Sequence, residues 1–201
     1  MQFTPEILPA LIKAVSEVIE QNAEEVTALD QVLGDGDHVT NLQRGLDALN
    51  QQTSEISQLE WAPAIQKVGM ILLSTMGGAS GSLFGTLFIS MSKSIATKEE
   101  LNQQNFAEVF FQGVEAVKKR GKAEAGEKTM LDVLIPVSEK MLQGVGLDGI
   151  CQVAIEGMES TREMKATKGR ASYLEDKSIG HIDAGARTSQ LMICAIVEAL
   201  S

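Results

Sequence analysis

The stretch TPEILPALIKAVSEVIE, residues 4–20, shows the pattern that decides the fold. Its apolar residues return every three or four positions, which is the spacing of one face of an α-helix. Thr4 and Pro5 predict the start of this helix, with a hydroxyl cap and a proline at the first helical position. The same spacing recurs at 26–33, 42–49, 65–72, 83–95, 106–117, 131–141, 150–158 and 191–200. Because no segment alternates convincingly between apolar and polar residues, the sequence predicts eight or nine helices and no strand.

The composition predicts one folded domain over residues 1–201 that binds neither nucleic acid nor a membrane. Of the 201 residues, 44% are apolar, which is enough for a sizeable core. The 27 acidic and 17 basic side chains give a net charge of −10. This acidity removes the positive field that binding to a nucleic-acid backbone or an anionic membrane normally needs. A phosphate-bearing ligand must therefore be held by local devices, such as metal ions or helix N-termini.

The N-terminus and the cysteines are typical of a cytoplasmic protein. No basic stretch precedes the first apolar residues, so the N-terminus does not resemble a secretory signal. The longest apolar runs are shorter than the ~20 residues that a membrane-spanning helix needs. Cys151 and Cys194 lie in apolar, helical segments and have no partner at CxxC spacing. We therefore expect both to be buried, reduced thiols.

The densest group of acidic residues surrounds the stretch GDGDH. Asp30, Asp35 and Asp37 place three carboxylates within eight residues, and Mg²⁺ is usually held by a few carboxylates together with phosphate oxygens and waters. A solvated Asp-Gly turn that caps the next helix explains the same residues, and the residue types alone do not decide between the two. A calcium-binding EF-hand loop is excluded, because the glycine and glutamate that its spacing requires are Thr40 and Leu46 here.

Two predicted helix starts offer groups that can bind phosphate. One helix begins near His38, with Thr40 and Asn41 at its positive end, and His38 itself either donates to a phosphate or only caps the helix. The stretch GGASG, residues 77–81, opens another helix with backbone N–H groups and the Ser80 hydroxyl. Its alternative interpretation is a glycine C-cap followed by a serine N-cap. In an up-and-down array, loops separated by two helices lie at the same end, so these two loops can converge.

Two later polar segments carry further candidates. The stretch GKAEAGEKT is similar to a P-loop, but a glutamate separates its second glycine from the lysine and no strand precedes it, so a P-loop is rejected. Residues 165–187 are long, polar and glycine-rich for a helix connection, which is typical of a functional or a disordered segment. Residues 50–59 and 96–105 are expected to be solvated connections without chemistry.

Four motifs together resemble the nucleotide-binding L subunit of dihydroxyacetone kinase, the DhaL or Dak2-type family. In chain order they are GDGDHVTN, MGGASGSLFGT, RGKAEAGEKTMLD and KGRASYLEDKSIGHIDAGA, and the resemblance runs from about Asp30 to Ala186. It implies an all-α fold, an antiparallel eight-helix barrel with the nucleotide at one rim. That implication agrees with the number of helices that the apolar spacing predicts.

The resemblance also implies roles for most of the candidate residues. Two Mg²⁺ ions that bridge the phosphates of ADP or ATP would be held by Asp30, Asp35 and Asp37. Phosphate contacts would come from His38, Thr40, Asn41, Ala79 and Ser80. The adenine side would be lined by Gly121 and Met130. The long loop would close over the nucleotide with Arg170, Asp183 and Gly185. Glu127, Lys128 and Thr129 match the family pattern without an assigned role.

Two positions depart from the family pattern. Val39 stands where relatives usually carry glycine, which is expected to tighten the first turn of the helix beside the phosphates. Ala184 stands where relatives usually carry proline, so the loop loses a fixed φ angle and is expected to close less readily. Both departures bear on affinity rather than on chemistry.

Within the resemblance, the absence of a substrate domain and the presence of His38 favour the type that depends on the phosphotransferase system. Such a subunit retains ADP, accepts phosphate from a phosphohistidine partner (DhaM) and passes it to dihydroxyacetone held on the DhaK subunit. No protein nucleophile is required, because metal ions clamp the phosphates while an acceptor oxygen attacks in line. The alternatives are an ATP-dependent kinase subunit for another small ketose, and a noncatalytic nucleotide-sensing module that regulates a transcription factor.

Overall fold

The computed structural model describes residues 4–201, and every regular element in that range is helical. Ten α-helices follow one another: α1 Leu8–Gln21, α2 Ala23–Leu33, α3 His38–Asn50, α4 Thr53–Ile56, α5 Trp61–Thr75, α6 Gly78–Ile95, α7 Gln103–Gly121, α8 Leu131–Leu142, α9 Leu147–Ser160 and α10 Ala184–Leu200. Three 3-10 segments accompany them, at Pro5–Ile7, Thr161–Glu163 and Arg170–Ser178. The prediction of an all-α chain is confirmed: nine of these helices, all but the single turn α4, are the long elements that the apolar spacing indicated.

The packing order of the helices returns to its start. Helix α1 packs against α3, and α3 packs against α5. From α5 to α10 each helix packs against the next, and α10 packs against α1. Helix α2 lies against α3 and α10. The main apolar core takes one face from most of these helices, for example with Ile19, Leu42, Leu72, Val109 and Leu134.

Two local expectations at helix connections are wrong. The N-terminal helix begins with the 3-10 turn Pro5–Ile7, and the Thr4 hydroxyl donates to the Glu6 carboxylate at 3.4 Å instead of capping a backbone N–H. Residues 50–59 are not a plain solvated connection, because they include α4, whose Ile56 is fully buried. Two apolar residues, Ile56 and Leu59, in a polar segment were too weak a signal to predict this turn.

The expectation for the two cysteines is also wrong. Cys151 on α9 and Cys194 on α10 are half-buried and joined by a disulfide. The two helices pack side by side and bring the Cα atoms to 4.9 Å, within the range that a disulfide requires. A separation of 43 residues gives no sign of this contact, since it depends on how α10 returns to α9.

Among residues 4–201, no helix is both long and apolar enough to cross a membrane. This finding agrees with the short apolar runs in the sequence.

Gly157 marks the closest approach of α9 to α8. A Cβ atom built on Gly157 would lie 2.4 Å from the carbonyl oxygen of Asp132, which is backbone and cannot move aside. Gly146, at the start of the same helix, has no neighbouring atom within 4 Å of such a Cβ.

We expect Gly157→Ala to lower the free energy of unfolding by about 2 kcal/mol or more, because α9 must shift away from α8. Gly146→Ala is the matched control and should change stability by no more than about 0.5 kcal/mol. Denaturant unfolding followed by circular dichroism measures both. Equal stability of the two variants would contradict the close packing of α8 and α9.

Candidate metal and phosphate site

One cavity of about 250 Å³ gathers residues from all the polar motifs. It is lined by residues of the α2–α3 connection, the first turn of α6, the turn before α8, the long polar segment and the start of α10. The predicted convergence of the first two loops is therefore confirmed. A larger open cleft of about 430 Å³ lies between Thr4–Glu6 and Ser57–Glu60, and none of the four motifs lines it.

Three carboxylates meet at one edge of this cavity. Asp30, Asp35 and Asp37 each bring one oxygen to within 4.8 Å of the others, with Asp30 partly buried and the other two exposed. The Asp30 carboxylate accepts a hydrogen bond from the backbone N–H of His38 at 3.1 Å. A Cβ on Gly34 would lie 2.4 Å from the same carboxylate, so glycine lets the loop pass close over Asp30. Clustered, accessible carboxylate oxygens are the donor set that Mg²⁺ prefers, so the residues present fit that ion.

The long polar segment folds back over these carboxylates. Arg170 begins the 3-10 segment Arg170–Ser178, and its guanidinium lies 2.8 Å from the Asp35 carboxylate. We refer to residues 162–180 as the cap segment. The cap segment is also linked to the turn before α8. Thr167 donates to the Glu127 carboxylate at 3.1 Å, and the Lys168 ammonium group lies 3.5 Å from the same carboxylate.

His38 connects three helices at the bottom of the cavity. Its Nε2 lies 3.0 Å from the Thr188 hydroxyl on α10, and its Nδ1 lies 3.1 Å from the Ser80 hydroxyl on α6. The Thr188 hydroxyl donates to the carbonyl oxygen of Gly185, so it accepts from Nε2–H and leaves Nδ1 to accept from Ser80. Burial lowers the pKa of His38, against the charges of Asp30 and Asp37. A direct phosphate contact by His38 therefore requires exchanging one of these two bonds.

The N-terminus of α6 forms a second wall. Gly77 precedes the helix in an extended conformation, and Ala79 and Ser80 in the first turn line the cavity. A Cβ on Gly77 would lie 2.3 Å from the Asn41 side-chain oxygen, so the absence of a side chain at Gly77 leaves room for Asn41 of α3 beside this turn. The unpaired N–H groups of an 18-residue helix begin here, which favours an anion.

The opposite wall is formed by the start of α10 and the turn before α8. Met130, Asp183 and Gly185 line the cavity, and a Cβ on Gly185 would lie 3.6 Å from the Met130 backbone nitrogen. Asp183 caps α10 by accepting from the Ala186 N–H at 2.8 Å.

A family model described as the DAK2 domain matches residues 32–198. The chain belongs to the DAK2 domain family. Two relatives match this DAK2 domain along nearly their whole length. The ADP-binding subunit DhaL of PEP-dependent dihydroxyacetone kinase 1 from Listeria innocua is 40% identical over 182 residues, 90% of each chain. The ADP-binding subunit DhaL of the PEP-dependent dihydroxyacetone kinase from Escherichia coli is 37% identical over 185 residues, 88% of each chain.

The fold of this DAK2 domain is similar to part of a larger solved structure. The crystal structure of the dihydroxyacetone kinase from C. freundii, in complex with AMP-PNP and Mg²⁺, matches 98% of this chain with a TM-score of 0.78 and 23% identity. The chain spans 34% of the length of that kinase. At this identity the likeness establishes a shared all-helical fold.

Most of the predicted site residues of the DAK2 domain lie at the cavity. Ten of them line it: Asp30, Asp37, His38, Asn41, Ala79, Ser80, Met130, Arg170, Asp183 and Gly185. Asp35 joins the carboxylate cluster at its edge. Two residues lie outside the lining: Thr40 is exposed on α3, and Gly121 ends α7 next to Leu83, which does line the cavity.

The two departures from the family pattern lie at helix starts. The Val39 side chain is buried in the main core rather than turned towards the cavity. Ala184 occupies the first position of α10 and is also buried. Proline is favoured at that position and alanine is tolerated there. Helix α10 begins inside the segment 165–187 that was expected to be a connection, before the apolar spacing at 191–200 that predicted this helix.

Two residues that hold the site together are not evident from the sequence. Thr188 anchors His38 from 150 positions away in the chain. Lys128 lines the cavity and is almost fully buried. The match of Lys128 to the family pattern was the only available signal, and it carried no chemistry by itself.

Asp183 has the most clearly altered acidity at the cavity. Burial raises the pKa of Asp183 to about 6, against the hydrogen bond from Ala186 N–H and the charge of Lys128, which both lower it. Part of the side chain still faces the cavity. Because the folded state then holds this proton more tightly than the unfolded chain does, the contribution of Asp183 to stability is present below about pH 4 and is lost as the pH rises through 6.

We therefore expect the protein to lose about 1 to 3 kcal/mol of stability relative to Asp183→Asn as the pH rises from 4 to 7. Asparagine keeps the helix cap and cannot ionise. Denaturant unfolding of both proteins across this pH range, without nucleotide or metal, measures the difference. Asp148→Asn, at the exposed start of α9, is the control and should show no such trend. A stability difference for Asp183→Asn that is independent of pH would contradict the raised pKa.

Proposed function

We propose that this chain is the ADP-binding subunit of a PEP-dependent dihydroxyacetone kinase, a phosphotransferase. It would accept phosphate from a phosphohistidine partner of the DhaM type and pass it to dihydroxyacetone held by a DhaK-type subunit. The observation that carries this proposal is the meeting of three carboxylates and the N-terminus of α6 in one cavity beneath Arg170. The names of two relatives, matched over about 90% of each chain, support the same role.

We propose that Asp30, Asp35 and Asp37 hold two Mg²⁺ ions. Exposed Asp35 and Asp37 face solvent on one side of the cluster, while Asp30 is fixed from below by its bond to His38 N–H. Three carboxylates at this spacing repel one another, and divalent cations remove that repulsion. When bound, Mg²⁺–ADP would supply the phosphate oxygen that receives the transferred group and then releases it to the acceptor.

The protein groups around this cluster would position the nucleotide rather than react with it. The first turn of α6, with Ala79 and Ser80, faces the phosphates with backbone N–H groups. Met130 would line the adenine side, with Gly121 at its border, while Asp183 and Gly185 would close over the nucleotide together with Arg170. Arg170 would turn from Asp35 to the phosphates and exclude water from above.

The partners and the assembly follow from this role. The acceptor would arrive on the DhaK-type subunit, and a transcriptional regulator that senses the nucleotide state is a further candidate partner. We propose that the eight helices whose packing order closes on itself form a barrel with this cavity at its rim, and that residues 1–201 act as one domain. We also propose a cytoplasmic location for this subunit.

Purification without added nucleotide tests this function. We expect ADP to remain bound through gel filtration in Mg²⁺ and to be released by EDTA, as measured by chromatography of the denatured sample. With PEP, a phosphohistidine donor and a DhaK-type subunit, the protein should form dihydroxyacetone phosphate without added ATP. A nucleotide-free protein that turns over ATP with a partner would instead indicate a kinase for another small ketose. Bound nucleotide without transfer to any DhaK-type partner would indicate a noncatalytic nucleotide sensor.

Asp37→Asn is the sharpest test of the metal assignment. The Asp37 side chain is exposed and makes no cap bond to α3, so the variant removes one charge from the cluster and leaves the helix intact. We expect Mg²⁺-dependent ADP affinity, measured by calorimetry, to fall at least about tenfold, since changing even a residue that only hydrogen-bonds to a metal ligand costs that much. Asp47→Asn, exposed on the same helix outside the cluster, should bind as the unmodified protein does. Unchanged affinity in Asp37→Asn would refute the metal assignment.

A further inference from the structure

Lys128 has the largest fully buried side chain in residues 4–201, with 1% of its surface exposed. It lies in the turn before α8 with a φ angle of 62°, which is unusual for a residue other than glycine. Asp132 holds this turn, because its carboxylate accepts hydrogen bonds from the backbone N–H groups of Gly126 and Thr129. The local fold therefore directs the long cationic side chain of Lys128 inwards. A positive φ angle and a buried charge persist at a lysine only where the surrounding structure fixes them.

The Lys128 ammonium group contacts both ends of the cap segment. It donates to the carbonyl oxygen of Thr161, which precedes the segment, and to that of His181, which follows it. The two ends of the cap segment are also joined by a backbone hydrogen bond of 2.8 Å from the Gly180 N–H to the Arg162 carbonyl oxygen. The two ends of a loop in a helical protein are ordinarily held in place by the helices on either side. The two ends of the cap segment are also joined to each other by the buried Lys128 ammonium group, which comes from the turn before α8.

The charged groups near Lys128 connect the ends of the cap segment to the cavity. Asp183, which follows His181, donates its backbone N–H to the Thr161 hydroxyl at 3.1 Å. Burial lowers the pKa of Lys128, and the carboxylates of Asp183 and Asp132 oppose that effect. The ammonium group thus lies between the fixed turn before α8 and the start of α10, where the cap segment joins the cavity wall.

We propose that Lys128 is a positioning residue that ties the two ends of the cap segment together and so holds Arg170 over the carboxylate cluster. The inference rests on the proposed function, because the cap segment is taken to cover a bound nucleotide. Lys128 would set how often the cap segment opens, and hence how fast ADP leaves. It would have no part in metal binding, since the carboxylate cluster belongs to the last turn of α2 and the α2–α3 connection.

Lys128→Met tests this role, because methionine keeps most of the buried chain and removes the ammonium group. In nucleotide-free protein, we expect faster hydrogen exchange of backbone amides in residues 162–180 and unchanged exchange in α5 and α6. In the protein loaded with Mg²⁺ and ADP, we expect ADP to dissociate about 10 to 100 times faster, the effect of losing hydrogen bonds from a buried charge.

Two controls separate this role from general stabilisation. Lys118→Met removes a half-buried lysine on α7 that pairs with Glu115 and Glu124, outside the cap segment. Val109→Ala weakens the core of α7 without touching either end of the cap segment. Both should leave ADP release and cap exchange unchanged. If Val109→Ala accelerates ADP release as much as Lys128→Met does, Lys128 only stabilises the fold and the proposal is overturned.

The unmodified protein provides a second test that does not need a folded variant. After nucleotide removal, the amides of Gly180 and Asp183 should stay as protected as those of α8, while amides of 170–178 exchange faster. Exchange of Gly180 and Asp183 together with the rest of the cap segment would overturn the proposal, as would unchanged ADP release in folded Lys128→Met. Failure of the protein to bind ADP would refute the proposed function instead, and the exchange results on nucleotide-free protein would still decide the role of Lys128.

Discussion

The repulsion among three neighbouring carboxylates is the constraint that the site depends on. Asp30, Asp35 and Asp37 each bring one carboxylate oxygen to within 4.8 Å of the others, in a chain whose net charge is already −10. A pair of like charges at about 4 Å costs roughly 1 kcal/mol in water and about 4 kcal/mol at an effective dielectric constant of 20. The surrounding fold offsets this cost with a backbone N–H bond to Asp30 and the Arg170 guanidinium on Asp35. Under the proposed function, divalent cations and the phosphates that accompany them would relieve the repulsion that remains.

The parts of the structure that the sequence predicted are those encoded locally. Each long helix has an apolar face at regular spacing, and the three aspartates are neighbours in the chain, so neither depends on distant contacts. The convergence of the first two polar loops followed from simple topology. The match of the motifs to one family then indicated Met130, Arg170 and Gly185, which the structure brings to the same cavity.

The parts that could not be predicted join residues far apart in the chain. His38 meets Thr188 across 150 positions, and Lys128 meets His181 across 53. Both contacts, like the disulfide between α9 and α10, depend on the path by which the cap segment returns to α10. Polar residues in that segment have no periodicity, so the sequence left open whether it was functional or disordered. The Thr4 cap failed for a local reason, since the nearby Glu6 carboxylate competes for the hydroxyl.

The floor and the cap of the cavity are built differently, and this bears on how a nucleotide is used. The floor consists of helix ends whose apolar faces are buried in the core, so its geometry is as stable as the fold. The cap segment is joined to the rest by polar contacts, among them Arg170 to Asp35 and Thr167 to Glu127, and by a small apolar cluster in which Ala166, Ala171 and Leu174 pack against Leu33 of α2. Segments with few apolar contacts open at a lower free energy than the core does. Under the proposed function, a subunit that retains ADP and a kinase that exchanges it would share the same cavity floor and differ in how firmly the cap segment is anchored, because opening of the cap would limit release.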